Sequence, residues 1–482
     1  MTRKCYVTTT IPYVNAKPHV GFALELVQAD ALARYHRLLG RDVRLQTGTD
    51  ENALKNVLAA SERGVATQHF VDDNARAFRD LCPALGVAPD EFVRTTEPRH
   101  RRAVERFWQR LRADDIYRKK YTGLYCVGCE DFVLERDLVD GCCVDHGKPP
   151  VRVDEENYFF RLSTYQSQVE DLIRSDRLRI VPQTRRNEVL AFVRQGLQDI
   201  SVSRLAARAG GWGIPVPGDP SQVIYVWIDA LINYVSGLGF GTSDGWDEYW
   251  NDDTLKIHVM GKNVWKFHAV YWPALLLSAG LPVPDVVAVH GFLTQNGQKI
   301  SKTLGNTIDP VDCVREFGLE AVRYYLLRAI PSFDDGDFST ERLKGVYNAD
   351  LANGLGNLVS RLTTLCSRAG FCCYVGAASP AAPEGYHEAW SRYEYDGALA
   401  ALWKLITVVN QEIDRAAPWA ALKAKDPGSV HGHLERWLGV LHSIAYWLAP
   451  FVPRASQTIL EMLARDPIVP SAPLFPRLVY LQ

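Results

Sequence analysis

The sequence predicts an α/β protein: a parallel sheet interrupted by an insertion, then an all-α helical bundle. Three observations carry this. A strand–helix–strand unit opens the chain, residues 117–222 break the alternation with cysteines, turns and short strands, and long helical stretches take over from about residue 350.

Residues 4–10 read as a strand and Ile11-Pro12-Tyr13-Val14-Asn15 as a turn. A helix is expected over residues 21–39, because Leu24, Val27, Ala31, Tyr35 and Leu38 recur at spacings of three and four and share one face. Gly40 stops it. Val43, Leu45 and Thr47 alternate as a second strand that runs into Thr47-Gly48-Thr49-Asp50-Glu51. Strand, helix and strand in this order form the parallel crossover unit. Ligands of open parallel sheets gather at the carboxyl ends of the strands, where His19 and Asp50 both fall. Strands are expected again at 223–227, 255–259 and 285–289, with a helix over 268–278 between the last two. Helices over 351–367 and 398–415, separated by a Gly/Ala/Pro-rich joint at 376–385, predict a bundle. The expected segments are therefore 1–116 and 223–290 for the two halves of the sheet domain, 117–222 for the insertion, 291–349 for a linker and 350–482 for the bundle.

A chain of 482 residues, 47% hydrophobic and 23% charged, is ordinary for a multidomain enzyme. With a net charge of −2, any nucleic acid must be held by a local basic patch rather than a global field. No apolar run approaches a membrane span and no signal peptide is apparent, so no membrane association and a cytoplasmic location are expected. In that compartment the ten cysteines would not pair as disulfides.

Four cysteines cluster between Cys126 and Cys143. Cys126-Val127-Gly128-Cys129 is followed by Cys143-Val144-Asp145-His146, two short-spaced pairs that fit one tetrahedral S₃N zinc site. Cys143, not Cys142, keeps the two-residue gap to His146. Four protein ligands leave no open position, so one structural Zn2+ per chain is expected; a dithiol redox pair is the alternative.

Two further segments describe a nucleotide triphosphate site. The helix after Pro18-His19-Val20-Gly21 offers backbone N–H groups and a positive dipole end to a phosphate. The His19 imidazole can stabilise charge on the α-phosphate as pyrophosphate leaves, and Gly21 lets the nucleotide approach. Lys299 and Lys302 bracket Ser301 and can neutralise β- and γ-phosphates. Alone, either segment also reads as an ordinary helix start or a solvated lysine turn.

Together these segments resemble the HIGH and KMSKS signatures of class I aminoacyl-tRNA synthetases. Thr10-Ile11-Pro12-Tyr13-Val14-Asn15, Thr47-Gly48-Thr49-Asp50-Glu51, Trp212-Gly213-Ile214-Pro215, Tyr225-Val226-Trp227-Ile228-Asp229-Ala230, Phe267-His268-Ala269-Val270-Tyr271-Trp272-Pro273 and Leu304-Gly305-Asn306 resemble the methionyl-tRNA synthetase family, in order and over nearly the whole chain. The resemblance implies a Rossmann-type catalytic domain and ATP-dependent activation of L-methionine to methionyl-adenylate. Transfer to tRNA(Met), including the initiator, follows, with Mg2+ accompanying ATP. It implies His19, Lys299 and Lys302 as catalytic groups, with Gly21, Phe22, Asn263 and Ser301 beside ATP. Asp50 is expected to pair with the substrate ammonium. Ile11, Tyr13, Trp227, Ala230, Leu231, Tyr234, Val264, His268 and Trp272 are expected to form a cleft suited to a thioether, with His268 or Tyr13 offering the sulfur a weak hydrogen bond. On pattern alone Trp272 would be core.

The cysteine cluster resembles the single zinc knuckle of the family's connective insertion. Residues 117–222 are too few for an editing domain of the kind in leucine, isoleucine and valine synthetases. Discrimination then falls to the activation pocket, where a methylene is worth about 1–3 kcal/mol. Asn357, Arg361 and Trp419 are implied as readers of the CAU anticodon, Trp419 by stacking and the other two at base edges; the structural alternative is a solvated Asn/Arg pair and a core tryptophan. In the family a further oligonucleotide-binding tail often carries dimerisation; none is expected after Gln482, so a monomer is expected.

Three positions depart from the family pattern: Phe22 stands where a second histidine is usual, Asn52-Ala53 replaces His-Gly, and Asn263 replaces an aspartate. A phenyl ring cannot donate to a phosphate, so the departures weigh against ATP binding or transition-state stabilisation. Two other functions therefore stand beside a tRNA ligase: a paralogue that hands activated methionine to a non-tRNA acceptor, and a catalytically weakened tRNA-binding protein.

Overall fold

The computed structural model describes residues 3–478 except 129–130, 134, 136–137, 145–146, 296, 301–306, 372–373, 375 and 471, and describes Asp131 and Lys299 by backbone only. It forms two compact units. One comprises Met1–Pro18, Leu39–Pro83 and Val87–Val289, and the other His19–Leu38, Ala84–Gly86 and His290–Gln482.

The first unit is built on a six-stranded sheet in the order Glu91–Arg94, Val43–Thr49, Cys5–Thr8, Leu255–Gly261, Val286–His290, Arg179–Val181. Cys5–Thr8 runs parallel to both neighbours, Cys5 facing Val43 on one side and Leu255 on the other. The central strands are buried on both faces, as parallel strands must be, and read as short apolar runs. The sixth strand, Arg179–Val181, comes from within the interrupting stretch and pairs in parallel with Val286–Ala288.

The rest of that stretch is antiparallel. Ile116–Cys126 and Val151–Phe160 form a long ribbon from Ile116↔Phe160 to Tyr125↔Val151. Val153, Glu155 and Asn157 are buried while Asp154 and Glu156 are exposed, the period of two expected of a sheet with one wet face.

The strand expected at 223–227 is corrected. Residues Asp219–Ile224 do form a strand, but in an antiparallel three-stranded sheet with Ser203–Leu205 and Pro215–Val216. Val226–Leu231 is a helix. A short apolar run does not by itself distinguish a strand from a buried helix.

A π-helical turn, Phe267–Tyr271, leads into the helix Trp272–Ala279. Pro273 lacks an N–H and its ring crowds the carbonyl four residues earlier, so the chain ahead of it widens.

In the second unit the first helix, Val20–Leu38 (α1), was expected to bury one face. It is buried nearly all round, including Glu25, Gln28, Asp30 and His36. Asp30 receives Arg323 and Arg34, each at 2.7 Å. The fully buried Arg323 also donates to the carbonyls of Phe451, Leu85 and Pro450 at 2.9–3.0 Å, so that with Asp30 four of its five N–H groups have oxygen partners. Tyr35 stacks flat on Trp390 with ring centroids 4.4 Å apart. The last third is the expected bundle: Asn357–Ala369, Tyr395–Ala416, Gly428–Leu448 and Pro453–Leu463 pack together. In Tyr395–Ala416 the buried positions 395, 398, 399, 402, 406, 409 and 413 follow helical spacing. Among the described residues, no helix is long and apolar enough to cross a membrane.

Candidate active site

The residues expected to form the methionine cleft lie in the first unit, at strand ends and on the two short helical segments. Tyr13 forms a parallel bridge with Asp50, whose backbone N–H donates to Pro12 O at 2.9 Å. Asp50 is 1% exposed, at the carboxyl end of Val43–Thr49. The Trp227 ring lies edge-on to Tyr13 (centroids 5.9 Å) and stacks on Phe267 (3.9 Å, 6° between planes). Ala230, Leu231, Tyr234, Val264 and Trp272 are all buried, and Ile11 and Tyr13 are half-buried. Trp272 packs on Phe107 (5.6 Å) and lies near Tyr234 (6.2 Å), so much of its surface serves the core, as its pattern suggests.

His268 has a fixed tautomer. Its Nδ1 faces Val264 O at 2.9 Å, an acceptor, so Nδ1 carries the hydrogen. The Tyr234 hydroxyl meets Nε2 at 2.7 Å, so both ring nitrogens are engaged within the protein. Behind it, burial pushes the His258 imidazole well below its usual range, and its Nδ1 meets Thr8 Oγ1 at 2.7 Å.

A buried network missed by sequence reasoning braces this pocket. Asp229, on the same helix as Trp227 and Ala230, accepts from Asn52 Nδ2 at 2.7 Å and pairs with His100 Nε2 at 2.7 Å. His100 Nδ1 meets Ser236 Oγ at 2.7 Å. Asn52, read as a departure, thus fastens the segment after Asp50 to the pocket helix. Next to it, fully buried Glu51 is held by Arg94 through two bonds of 2.7 and 2.8 Å, and its carbonyl accepts from Trp212 Nε1 at 2.8 Å. Only quoted motif neighbours, Glu51, Trp212 and Asp229, hinted at these contacts; nothing local pointed to His100, Arg94 or Ser236. Phe267, quoted only within a motif, is the ring that stacks on Trp227. Asn263 is exposed on the turn after Leu255–Gly261.

In the second unit His19 sits at the start of α1. Gly21 N–H donates to His19 Nδ1 at 3.1 Å, so the neutral ring holds its hydrogen on Nε2, the form that donates to an anion. A Cβ at Gly21 would lie 2.8 Å from His19 Cε1. Val20 N–H donates to Ile308 O at 3.0 Å, joining the helix start to the chain just after the lysine motif. Lys299 ends a short antiparallel pair with Leu293–Gln295, in register Thr294↔Lys299. Ser301 and Lys302 lie outside the described residues, as do Cys129 and His146. Phe22 is buried rather than presented to solvent. A Phe22→His substitution is expected to raise the activation rate by adding a donor, and to lower Tm because a polar ring enters an apolar site. An unchanged or lower rate would count against a missing phosphate contact.

Cys126 and Cys143 are both buried at the ends of strands, and neither is in a disulfide; Cys142 is half-buried. Gly147 N–H donates to Cys143 O at 2.8 Å. Among the described residues no trio of metal-ligating side chains is gathered.

In the bundle, Asn357 opens the helix Asn357–Ala369 and is exposed. Arg361, one turn on, reaches Asn410 Oδ1 at 3.2 Å and Asp414 Oδ1 at 2.5 Å. Trp419, at the start of Pro418–Lys423, is 48% exposed and is not a core residue.

The family model described as tRNA synthetases class I (M) matches residues 5–146 and 133–363. A methionine--tRNA ligase of Nostoc sp. is 42% identical over 95% of this chain and 89% of its own length. One of Brucella suis is 40% identical over 96% of this chain and 92% of its own. The solved Mycobacterium tuberculosis methionyl-tRNA synthetase in complex with methionyl-adenylate aligns with a TM-score of 0.91 at 36% identity, covering 99% of this chain and 100% of that one. The apo form of the same enzyme aligns with a TM-score of 0.84 at 33% identity. By sequence and by structure, the chain belongs to the methionine--tRNA ligase family of class I tRNA synthetases.

Proposed function

We propose that this chain activates L-methionine with ATP and transfers it to tRNA(Met), the initiator included. The observation that carries the reading is the aromatic cluster of Tyr13, Trp227 and Phe267 next to the buried Asp50, which bridges Tyr13. A buried carboxylate calls for a cation, and polarizable ring faces suit a thioether. Asp50 takes the substrate ammonium, while Ile11, Ala230, Leu231, Val264, His268 and Trp272 complete or support the wall.

The methionine carboxylate oxygen attacks the α-phosphorus of ATP, the bond to the bridging oxygen breaks, and pyrophosphate leaves with that electron pair. His19 donates through Nε2 to the α-phosphate, and Lys299, Ser301 and Lys302 hold the β- and γ-phosphates. The family resemblance assigns Gly21, Phe22 and Asn263 to the nucleotide's neighbours. Mg2+ accompanies ATP and supplies charge neutralisation on the phosphates. The terminal ribose hydroxyl of the tRNA then attacks the acyl carbon and AMP leaves. Asn357, Arg361 and Trp419 read the anticodon; Arg361 exchanges its partners on the neighbouring helix for a base edge. The segments 1–116 and 223–290 serve catalysis, 117–222 the connective insertion, 291–349 the lysine-motif linker and 350–482 tRNA binding, in a monomer working in the cytoplasm.

Cys126, Cys129, Cys143 and His146 would hold one Zn2+, whose closed coordination fixes the insertion without entering the reaction. The burial of Cys126 and Cys143 at strand ends supports this donor set. Metal analysis is expected to find one zinc per chain, released by Cys143→Ser; a folded, zinc-free protein would refute the knuckle. Methionine-dependent ATP–pyrophosphate exchange, followed by charging of tRNA(Met) but of no other tRNA, tests the whole reading. Exchange without charging would point to a non-tRNA acceptor, and no exchange to a binding protein.

A further inference from the structure

The helix that follows His19 and the strand that precedes the lysine motif are joined by a buried side-chain contact that neither motif contains. Glu25 lies in the second turn of α1, six residues after His19, and is 5% exposed. Its Oε2 meets His290 Nε2 at 3.1 Å. His290 is 6% exposed, ends the strand Val286–His290, and precedes the lysine motif by one short strand, Leu293–Gln295. Its other nitrogen, Nδ1, faces Gly291 O at 2.7 Å. Both ring nitrogens thus face oxygen atoms, which fixes the orientation of the ring.

The segment holding His290 is itself immobilised. A Cβ on Gly291 would lie 2.2 Å from Asp334 O. Phe292 N–H donates to Asp335 Oδ1 at 2.9 Å, and Gly336 N–H to Phe292 O at 2.9 Å. Together with the Val20–Ile308 bond, α1 is therefore tied to the chain on both sides of the lysine motif: upstream by Glu25 and His290, downstream by Val20 and Ile308. Burying a carboxylate in a helix is costly, and a hydrophobic pair would pack this helix at less expense. A polar pair fixes one register where apolar side chains would tolerate several.

We propose that Glu25 and His290 are positioning residues that set the histidine turn against the lysine motif for adenylate formation. This rests on the nucleotide roles proposed above, and it deepens them. A displacement of about 1 Å at a reacting centre costs on the order of 100-fold, whereas the methionine pocket lies in the other unit and should not sense the pair.

The test is steady-state ATP–pyrophosphate exchange by the full chain. Glu25→Gln keeps the volume and removes the charge; it is expected to lower kcat about 10- to 100-fold while KM for methionine stays within about twofold. His290→Gln is expected to do the same and carries the test should Glu25→Gln not fold. The double variant is expected to be no worse than either single one, because both disable one contact. A folded variant with kcat within twofold of the parent, a loss matched by an equal rise in KM for methionine, or losses that multiply in the double variant would overturn the proposal. An inactive parent protein would instead strike at the function proposed above.

Discussion

Gly21→Ala is expected to lower the rate of pyrophosphate exchange about 100- to 1,000-fold without destabilising the protein. The added methyl would meet His19 Cε1 at 2.8 Å and Nδ1 at 3.0 Å, closer than a Cβ tolerates, so the imidazole must rotate away. Rotation also breaks the 3.1 Å bond from Gly21 N–H that holds the hydrogen on Nε2. Losing one oriented donor to a developing anion costs about 100- to 1,000-fold in kcat. Alanine favours a helix interior over glycine by about 0.5–1 kcal/mol, so Tm should stay level or rise as the rate falls. A rate within a few-fold of the parent would mean that His19 does not act on the nucleotide in the orientation described. A fall in Tm alongside the rate would assign the loss to packing.

Asp50→Asn should be as damaging, but on the methionine side. The residue is 1% exposed and its backbone is fixed on both sides, by Pro12 O and by Asn56 Nδ2, which donates to Asp50 O at 3.2 Å. The asparagine keeps the shape and removes the charge. Breaking a buried ion pair by removing one partner costs about 3–5 kcal/mol, or roughly 100- to 5,000-fold in kcat/KM for methionine. KM for ATP should change little. An equal loss for ATP and methionine would show that Asp50 supports the fold and not the substrate ammonium.

What the sequence made legible was local placement: His19 and Gly21 do lie at a helix start and Asp50 at a strand end, as a few adjacent positions indicate. Trp419 gained from the family resemblance what its pattern withheld, and its exposure fits that reading better than a place in the core. The partners were illegible, because Asp229 and His100, Glu51 and Arg94, or Glu25 and His290 are far apart in sequence and individually look like ordinary polar residues. In α1 the apolar spacing marks one buried face, whereas Asp30 and Glu25 are also buried and are answered inside the protein. The helix Val226–Leu231 was missed because five apolar residues after a strand do not announce a change of period. Asn52, taken as a loss, is a hydrogen-bonded brace.

The most direct test of the central claim is ATP–pyrophosphate exchange by the purified chain across a panel of amino acids. The account predicts exchange with methionine, far weaker exchange with leucine, isoleucine and valine, and none without an amino acid. Exchange driven best by another amino acid, or by none of them, would contradict it.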